Sequence, residues 1–181
     1  MEIGTVYKSM DLMKTGILKR HDEALVCAGY PFFGLNEECL TRLDFCIFRC
    51  NKNLVEGNIF HEEHDYDTEG EAVRGDGLLY PGAKVVKTGR TTGTTNGIIV
   101  STDLVVWEGG LGSHEVCIMG DDNIPYFALK GDSGAVVMVK NEDMSLCLSA
   151  AGLLHGINRL KDLALATPLQ IIMEEVNMKW M

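Results

Sequence analysis

The second half of the chain constrains the fold most, because its apolar runs are short and regularly interrupted. Strand-like runs occur at 83–88, 97–101, 103–107, 114–119, 134–140 and 146–155, with a shorter one at 162–166. Turn signals separate most of them: Gly93 to Gly97, Gly109 to Gly112, Asp121 to Pro125 and Asn141 to Asp143. Many short strands with a turn roughly every ten residues predict an all-β sandwich or barrel. The end of the chain changes period. Thr167-Pro168-Leu169-Gln170 reads as a helix start, with threonine as N-cap, proline at the first helical position and glutamine closing a capping box. Leu169, Ile172, Met173 and Val176 then repeat at helical spacing.

The first half is less regular. Residues 3–9 read as a strand, and Thr15 to Lys19 as another. Val26 to Gly34, with Gly-Tyr-Pro and Phe-Phe-Gly, reads as turn and strand edge. Leu43 to Cys50 is a buried strand with Asp44 at its start. A charge there is either a solvated strand end or a buried, hydrogen-bonded carboxylate. From Glu56 to Asp76, eight acidic residues oppose Arg74 alone, so this stretch carries 8 − 1 = 7 of the ten net negative charges. Together with Gly57, Gly70, Gly75 and Gly77 it reads as a solvated loop or linker. The expected division is a partial first barrel at 1–55, an acidic linker at 56–80, and a second barrel with its C-terminal helix at 81–181.

The chain has 181 residues, 46% of them hydrophobic and 23% charged, which is ample for a core. No run of about 18 apolar residues is present, so no spanning helix is expected. A net charge of −10 argues against nucleic acid and anionic membrane as partners. The N-terminus lacks a basic-then-apolar leader, and the six cysteines are irregularly spaced. Reduced thiols in a cytoplasmic setting are therefore expected. Cys46 and Cys50 have no second close pair, and His61 and His64 lack the spacing of the zinc-protease helix motif. Neither a metal nor a cofactor is expected. Cation binding by the acidic stretch is the weakest reading.

Chemistry concentrates in Gly131-Asp132-Ser133-Gly134, which precedes the apolar run Ala135 to Val139. A serine hydroxyl is a poor nucleophile unless a base takes its proton and nearby donors hold the developing negative charge. Flanking glycines let the amides of Gly131 and Ser133 point at one oxygen, the chemistry of an oxyanion hole. The same residue types are first of all turn formers.

A second motif, Gly89-Arg90-Thr91-Thr92-Gly93, is followed by Gly97 and Ile98-Ile99-Val100. Together the two motifs resemble the chymotrypsin-like (trypsin-like, S1-type) serine proteases. They look most like the α-lytic protease and streptogrisin branch and the fungal intracellular endoproteases of amino-acid sensing. Leu43-Asp44-Phe45-Cys46-Ile47 resembles the strand that carries the triad aspartate. Ala151-Gly152-Leu153-Leu154-His155-Gly156 resembles the strand beside which substrate lies. The resemblance covers residues 40 to about 178. It implies a chymotrypsin-like double β-barrel, here with a shortened first barrel, a complete second barrel and a C-terminal helix. It also implies a serine endopeptidase that forms an acyl-enzyme on Ser133. In that reading Asp44 orients a histidine, and the amides of Gly131 and Ser133 form the oxyanion hole. Phe127, Leu154, His155 and Gly156 would contact substrate. Phe127 lies where the base of the primary specificity pocket is expected; it either disfavours a basic substrate side chain or is plain core.

The resemblance breaks at the histidine. Only His21 precedes Asp44, and no small-residue lead stands before it. It reads as a solvent-exposed loop residue, and the histidine-bearing start of the first barrel is expected to be missing. His155 stands where the family often carries a serine bonded to the triad aspartate. It reads as a core or cleft-wall histidine, or as a neighbour of Asp44 and Ser133. His114 starts a strand and carries no motif. Asp132 is either a salt-bridge acceptor or a shaper of its turn. The functional alternatives are thus a serine endopeptidase acting on polypeptides and a catalytically inactive protease-like domain. The inactive domain would be a module binding a protein partner, or a truncated product. A shortened first barrel also exposes strand edges, which predicts self-association.

Overall fold

The computed structural model describes residues 4–31, 34–35, 37–50, 59–60, 71–75, 77–121, 124–140, 147–158 and 162–179. β1 (Gly4–Thr15) begins the chain. Gly16, at φ 73°, turns it into α1 (Ile17–Cys27). The strand expected at Thr15 to Lys19 is therefore corrected: beyond Thr15 the segment is turn and helix. Ile17, Leu18, His21, Asp22 and Leu25 recur at helical spacing, and α1 buries them together. Five residues are too few to reveal that period. The reading of Val26 to Gly34 changes with it, because Val26 and Cys27 complete the helix; Phe32 and Phe33 lie outside the described residues.

β2 (Leu40–Cys50) returns antiparallel to β1, with Thr15 opposite Leu40 and Gly4 opposite Cys50. Asp44 lies inside this strand, opposite Asp11, rather than at its mouth. Like charges facing each other weaken a ladder. Arg42 offsets this by reaching Asp11 Oδ1 at 3.2 Å. Of the acidic stretch, β3 (Ile59–Phe60) and β4 (Glu71–Arg74) are strands. Most of the remainder, including His61 and His64, lies outside the described residues.

The second half forms β5 (Lys84–Gly89), β6 (Gly93–Glu108), β7 (Leu111–Gly120), β8 (Val136–Lys140), β9 (Cys147–Asn158) and β10 (Leu163–Pro168). They neighbour one another in the order β10-β7-β6-β5-β8-β9, and β9 pairs back onto β10. The ring is a closed antiparallel barrel, which leaves no free edge within it. β4 adds to the outside of β9 in parallel, with Val73 opposite Leu148. The runs expected at 97–101 and 103–107 are one strand, β6, with register shifts between Ile99 and Ser101 and between Ser101 and Leu104. Such bulges switch which parity faces inward, so the sequence alternation breaks although the strand does not. Val85, Ile99, Ile118, Phe127, Val137 and Leu154 fill the barrel.

The turn expected at Asn141 to Asp143 lies outside the described residues. α2 (Leu169–Glu175) follows β10 directly. Pro168, not Thr167, occupies the N-cap position, and no side chain caps the helix. Thr167 Oγ1 instead donates to the Arg42 carbonyl at 3.0 Å, tying β10 to β2. Ile171, Ile172 and Val176 pack with Ile17, Leu43 and Phe45 in a second core. The first lobe is thus held on the C-terminal helix, with Arg20 Nη2 also 2.6 Å from Glu175 Oε1. Val6, Tyr7, Leu12 and Phe48 of the ribbon are exposed. Among the described residues no helix is long and apolar enough to cross a membrane.

If the second core holds the first lobe in place, Ile171→Ala lowers stability by about 2–5 kcal/mol. Urea unfolding reads this as a lower midpoint; an unchanged midpoint would contradict the shared core.

Candidate active site

Two chain reversals meet beside β9. One is the turn of Arg90, Thr91 and Thr92 between β5 and β6, and the other is the segment Leu129 to Ala135 before β8. Asp132, with a side chain 0% exposed, joins them. Its Oδ1 accepts the amides of Thr91 at 2.7 Å and Thr92 at 3.2 Å. Its Oδ2 accepts the Thr92 hydroxyl at 2.8 Å and the Leu129 amide at 3.0 Å. Lys87, equally buried, stands 3.5 Å from Oδ2, donates to the Thr92 hydroxyl, and donates to the Gly93 carbonyl at 3.1 Å. Burial presses the Asp132 carboxyl upward. The Leu129 and Thr91 amides, the Thr92 hydroxyl and the Lys87 charge outweigh it and bring the pKa from 3.8 to about 2. Asp132 is therefore both salt-bridge acceptor and shaper of the turn. A side chain on Gly89 would collide with its carboxylate.

The same contacts fix the serine turn. Gly131 has φ 109°, which favours glycine, and a Cβ there would strike the Thr91 hydroxyl. Thr91 Oγ1 donates to the Lys130 carbonyl at 3.0 Å. The Gly134 amide bonds the Leu154 carbonyl at 2.8 Å, and the Leu154 amide returns to the Ala135 carbonyl at 3.0 Å. Among the described residues the amides of Gly131 and Ser133 have no acceptor. The exposed Ser133 hydroxyl donates to the His155 carbonyl at 3.3 Å. A cavity of about 120 Å³ opens beside it, lined in part by Gly131, Ser133, Leu154, Gly156 and Ile157.

Of the expected substrate contacts, Leu154 and Gly156 border this cavity. Phe127 does not: it is 0% exposed in the barrel core, with Lys87 Nζ 5.9 Å from its ring centroid. His155 turns its ring away, with Nε2 3.1 Å from Glu115 Oε2. Among the described residues no histidine bonds Asp44, which is partly buried. His21 is not an exposed loop residue, as expected, but 1% exposed on α1. Its Nε2 is 2.8 Å from the Leu79 carbonyl oxygen, and its Nδ1 is buried without a partner. Burial holds its pKa below 6.5, outweighing the Leu79 carbonyl and the Asp22 charge. His114 is bonded to Asp103.

Lys87 and Glu115 were not singled out by the sequence motifs. Each carried a signal, as a charge beside an apolar run: Val85-Val86-Lys87 and Glu115-Val116-Cys117-Ile118. Such charges are rarely buried unless they are paired.

The closed barrel with its glycine-flanked serine turn defines a chymotrypsin-like serine protease fold. Solved structures agree. Cellulomonas bogoriensis chymotrypsin is similar at 18% identity, covering 76% of this chain and 69% of that one with a TM-score of 0.56. Nocardiopsis protease is similar at 16% identity, covering 98% and 78% with a TM-score of 0.54. Thermobifida fusca protease A is similar at 16% identity, covering 97% and 88% with a TM-score of 0.53. The sequence model of Peptidase family S64 matches residues 36–180, and the chain belongs to that family.

Acid titration tests the Asp132 anchor. Its folded pKa lies below the unfolded one, so its stabilisation is complete above about pH 4 and is lost as pH falls through about 2. The contribution is roughly 2 kcal/mol. Thermal midpoints should fall over that window in the wild type and be flatter in Asp132→Asn. At neutral pH the variant should be less stable by about 3–5 kcal/mol, because Lys87 keeps its burial without its carboxylate. Equal acid profiles would contradict the anchor.

Proposed function

We propose that this chain is a serine endopeptidase acting on polypeptides through an acyl-enzyme on Ser133. The reading assigns Ser133 as nucleophile and the amides of Gly131 and Ser133 as oxyanion hole. Leu154 and Gly156 form the wall along which the substrate main chain lies. The role of Asp44 as the carboxylate that orients a triad histidine rests on the family resemblance. One observation carries the reading: the Asp132-anchored turn leaves both amides without acceptors beside the Ser133 hydroxyl. Donors held in place before charge develops are the largest single source of acyl-transfer catalysis.

A second reading, an inactive protease-like binding module, is favoured by where the histidine rings lie. Among the described residues, His21, His114 and His155 are bonded to Leu79, Asp103 and Glu115 rather than to Ser133. Without a base, oxyanion stabilisation and binding leave roughly 10³–10⁴-fold over water, far below a working peptidase.

Fluorophosphonate labelling followed by mass spectrometry separates the two. The endopeptidase gives a rapid adduct on Ser133 that Ser133→Ala abolishes. Folded protein that forms no adduct, and binds a polypeptide equally well as Ser133→Ala, would establish the module instead.

A further inference from the structure

The cavity beside Ser133 is small and its walls are mostly aliphatic. It holds about 120 Å³, against roughly 300–1,000 Å³ for an ordinary small-molecule site. Liquid water takes about 30 Å³ per molecule, so there is room for about four non-hydrogen atoms. Leu129, Leu154 and Ile157 supply its aliphatic side chains, and the serine turn supplies Gly131 and Ser133. Leu154 is 2% exposed and Ile157 packs on the barrel core, so these two walls are held in place. Ile157 is also fixed along its strand, where β9 sets it opposite Ala164 of β10. Among the described residues no carboxylate lines the cavity, and its one charged lining residue, Lys130, is exposed. A second cavity, of about 510 Å³, is lined in part by Trp107, Glu115, His155, Gly156 and Ile157, and not by Ser133. Gly156 and Ile157 are common to the two linings, so among the described residues Ile157 brings the one shared side chain.

We propose that Ile157 sets a size limit on the substrate residue that donates the cleaved carbonyl, and that this chain takes a small aliphatic residue there, alanine or valine. The proposal rests on the endopeptidase reading. The carbon that Ser133 Oγ attacks is bonded to the Cα of that residue. Its side chain therefore starts next to Ser133 and enters the recess that Ser133 borders. Valine fits the available room. A phenylalanine ring exceeds it and overpacks Leu154 and Ile157, which the barrel does not let move aside. A lysine or arginine would lose water from its charge and find no carboxylate in return. Ile157 also borders the larger cavity, so shortening its side chain gives the recess room on that side.

The test is labelling of the full chain by peptidyl diphenyl phosphonates that differ only in the residue carrying phosphorus: alanine, valine, phenylalanine, lysine or glutamate. In the reaction the Ser133 Oγ–P bond forms, phenoxide leaves and the serine proton passes to the buffer. The wild type should take the valine analogue roughly 10²-fold faster than the phenylalanine or lysine analogue. In Ile157→Ala the ratio of phenylalanine to valine rates should rise roughly 10–200-fold. Ile157→Phe should slow the valine analogue more than the alanine one. Thermal unfolding verifies that each variant is folded. Leu129→Ala, at a wall position 40% exposed, should raise the same ratio and serves if Ile157→Ala does not fold. A fluorophosphonate without a peptide reports the reactivity of Ser133 separately. Protein that takes this probe but reacts fastest with the phenylalanine, lysine or glutamate analogue, or with none of them, would overturn the size limit alone. So would an unchanged ratio in folded Ile157→Ala. Wild-type protein in which Ser133 takes neither kind of probe would overturn the endopeptidase reading and this proposal with it.

Discussion

The buried carboxylate of Asp132 is the interaction on which the site depends. It takes four hydrogen bonds from three residues, Leu129 three positions before it and the Thr91–Thr92 pair 41 and 40 positions before it, with the Lys87 charge behind them. A buried carboxylate is costly unless its lone pairs are filled, so its donors are held as firmly as it is. Those donors belong to the Thr91–Thr92 turn and to Leu129. Fixing them fixes Gly131, whose φ of 109° and contact with Thr91 permit no side chain. The serine turn is therefore shaped by a polar cluster behind it, not by Ser133 itself.

The barrel and the first lobe meet this requirement differently. The barrel closes on itself through the β9 and β10 pairing and presents Leu154 to the serine turn. The first part of the chain pairs only β1 with β2, and a two-stranded ribbon is marginal by itself even with α1 beside it. It gains a core from Ile171, Ile172 and Val176 of the terminal helix. Arg42 joins the halves twice, through its carbonyl to Thr167 and its amide to Glu115. The ribbon is thus tied to β10 and to β7, the strand that carries Glu115.

Much of the barrel was legible in the sequence because turns punctuate its strands, as at Gly109 and Gly110, although the turn expected at Gly93 to Gly97 lies within β6 and the chain reverses just before it. The strand ends mostly fell within a few residues of the observed ones, as for β5 and β8. What stayed hidden depended on tertiary contacts. The period of α1 needed eleven residues to emerge, and Gly16 gave the only local signal of its start. The Thr167 hydroxyl had two competing partners, the amide donors of a helix start and the Arg42 carbonyl acceptor, and tertiary geometry decided for the latter. The serine turn itself could be read from Gly131-Asp132-Ser133-Gly134. The partners of Asp132 and His155 could not, because Lys87 and Glu115 lie 45 and 40 positions away along the chain.

The most direct measurement is a crystal structure of the chain after reaction of Ser133 with a phosphonate. The phosphonyl oxygen should lie roughly 3 Å from the amide nitrogens of Gly131 and Ser133, with Asp132 still bonded to Thr91 and Leu129. An adduct whose oxygen points to solvent, or an Asp132 carboxylate released from those amides, would contradict the claim that the buried anchor builds an oxyanion hole.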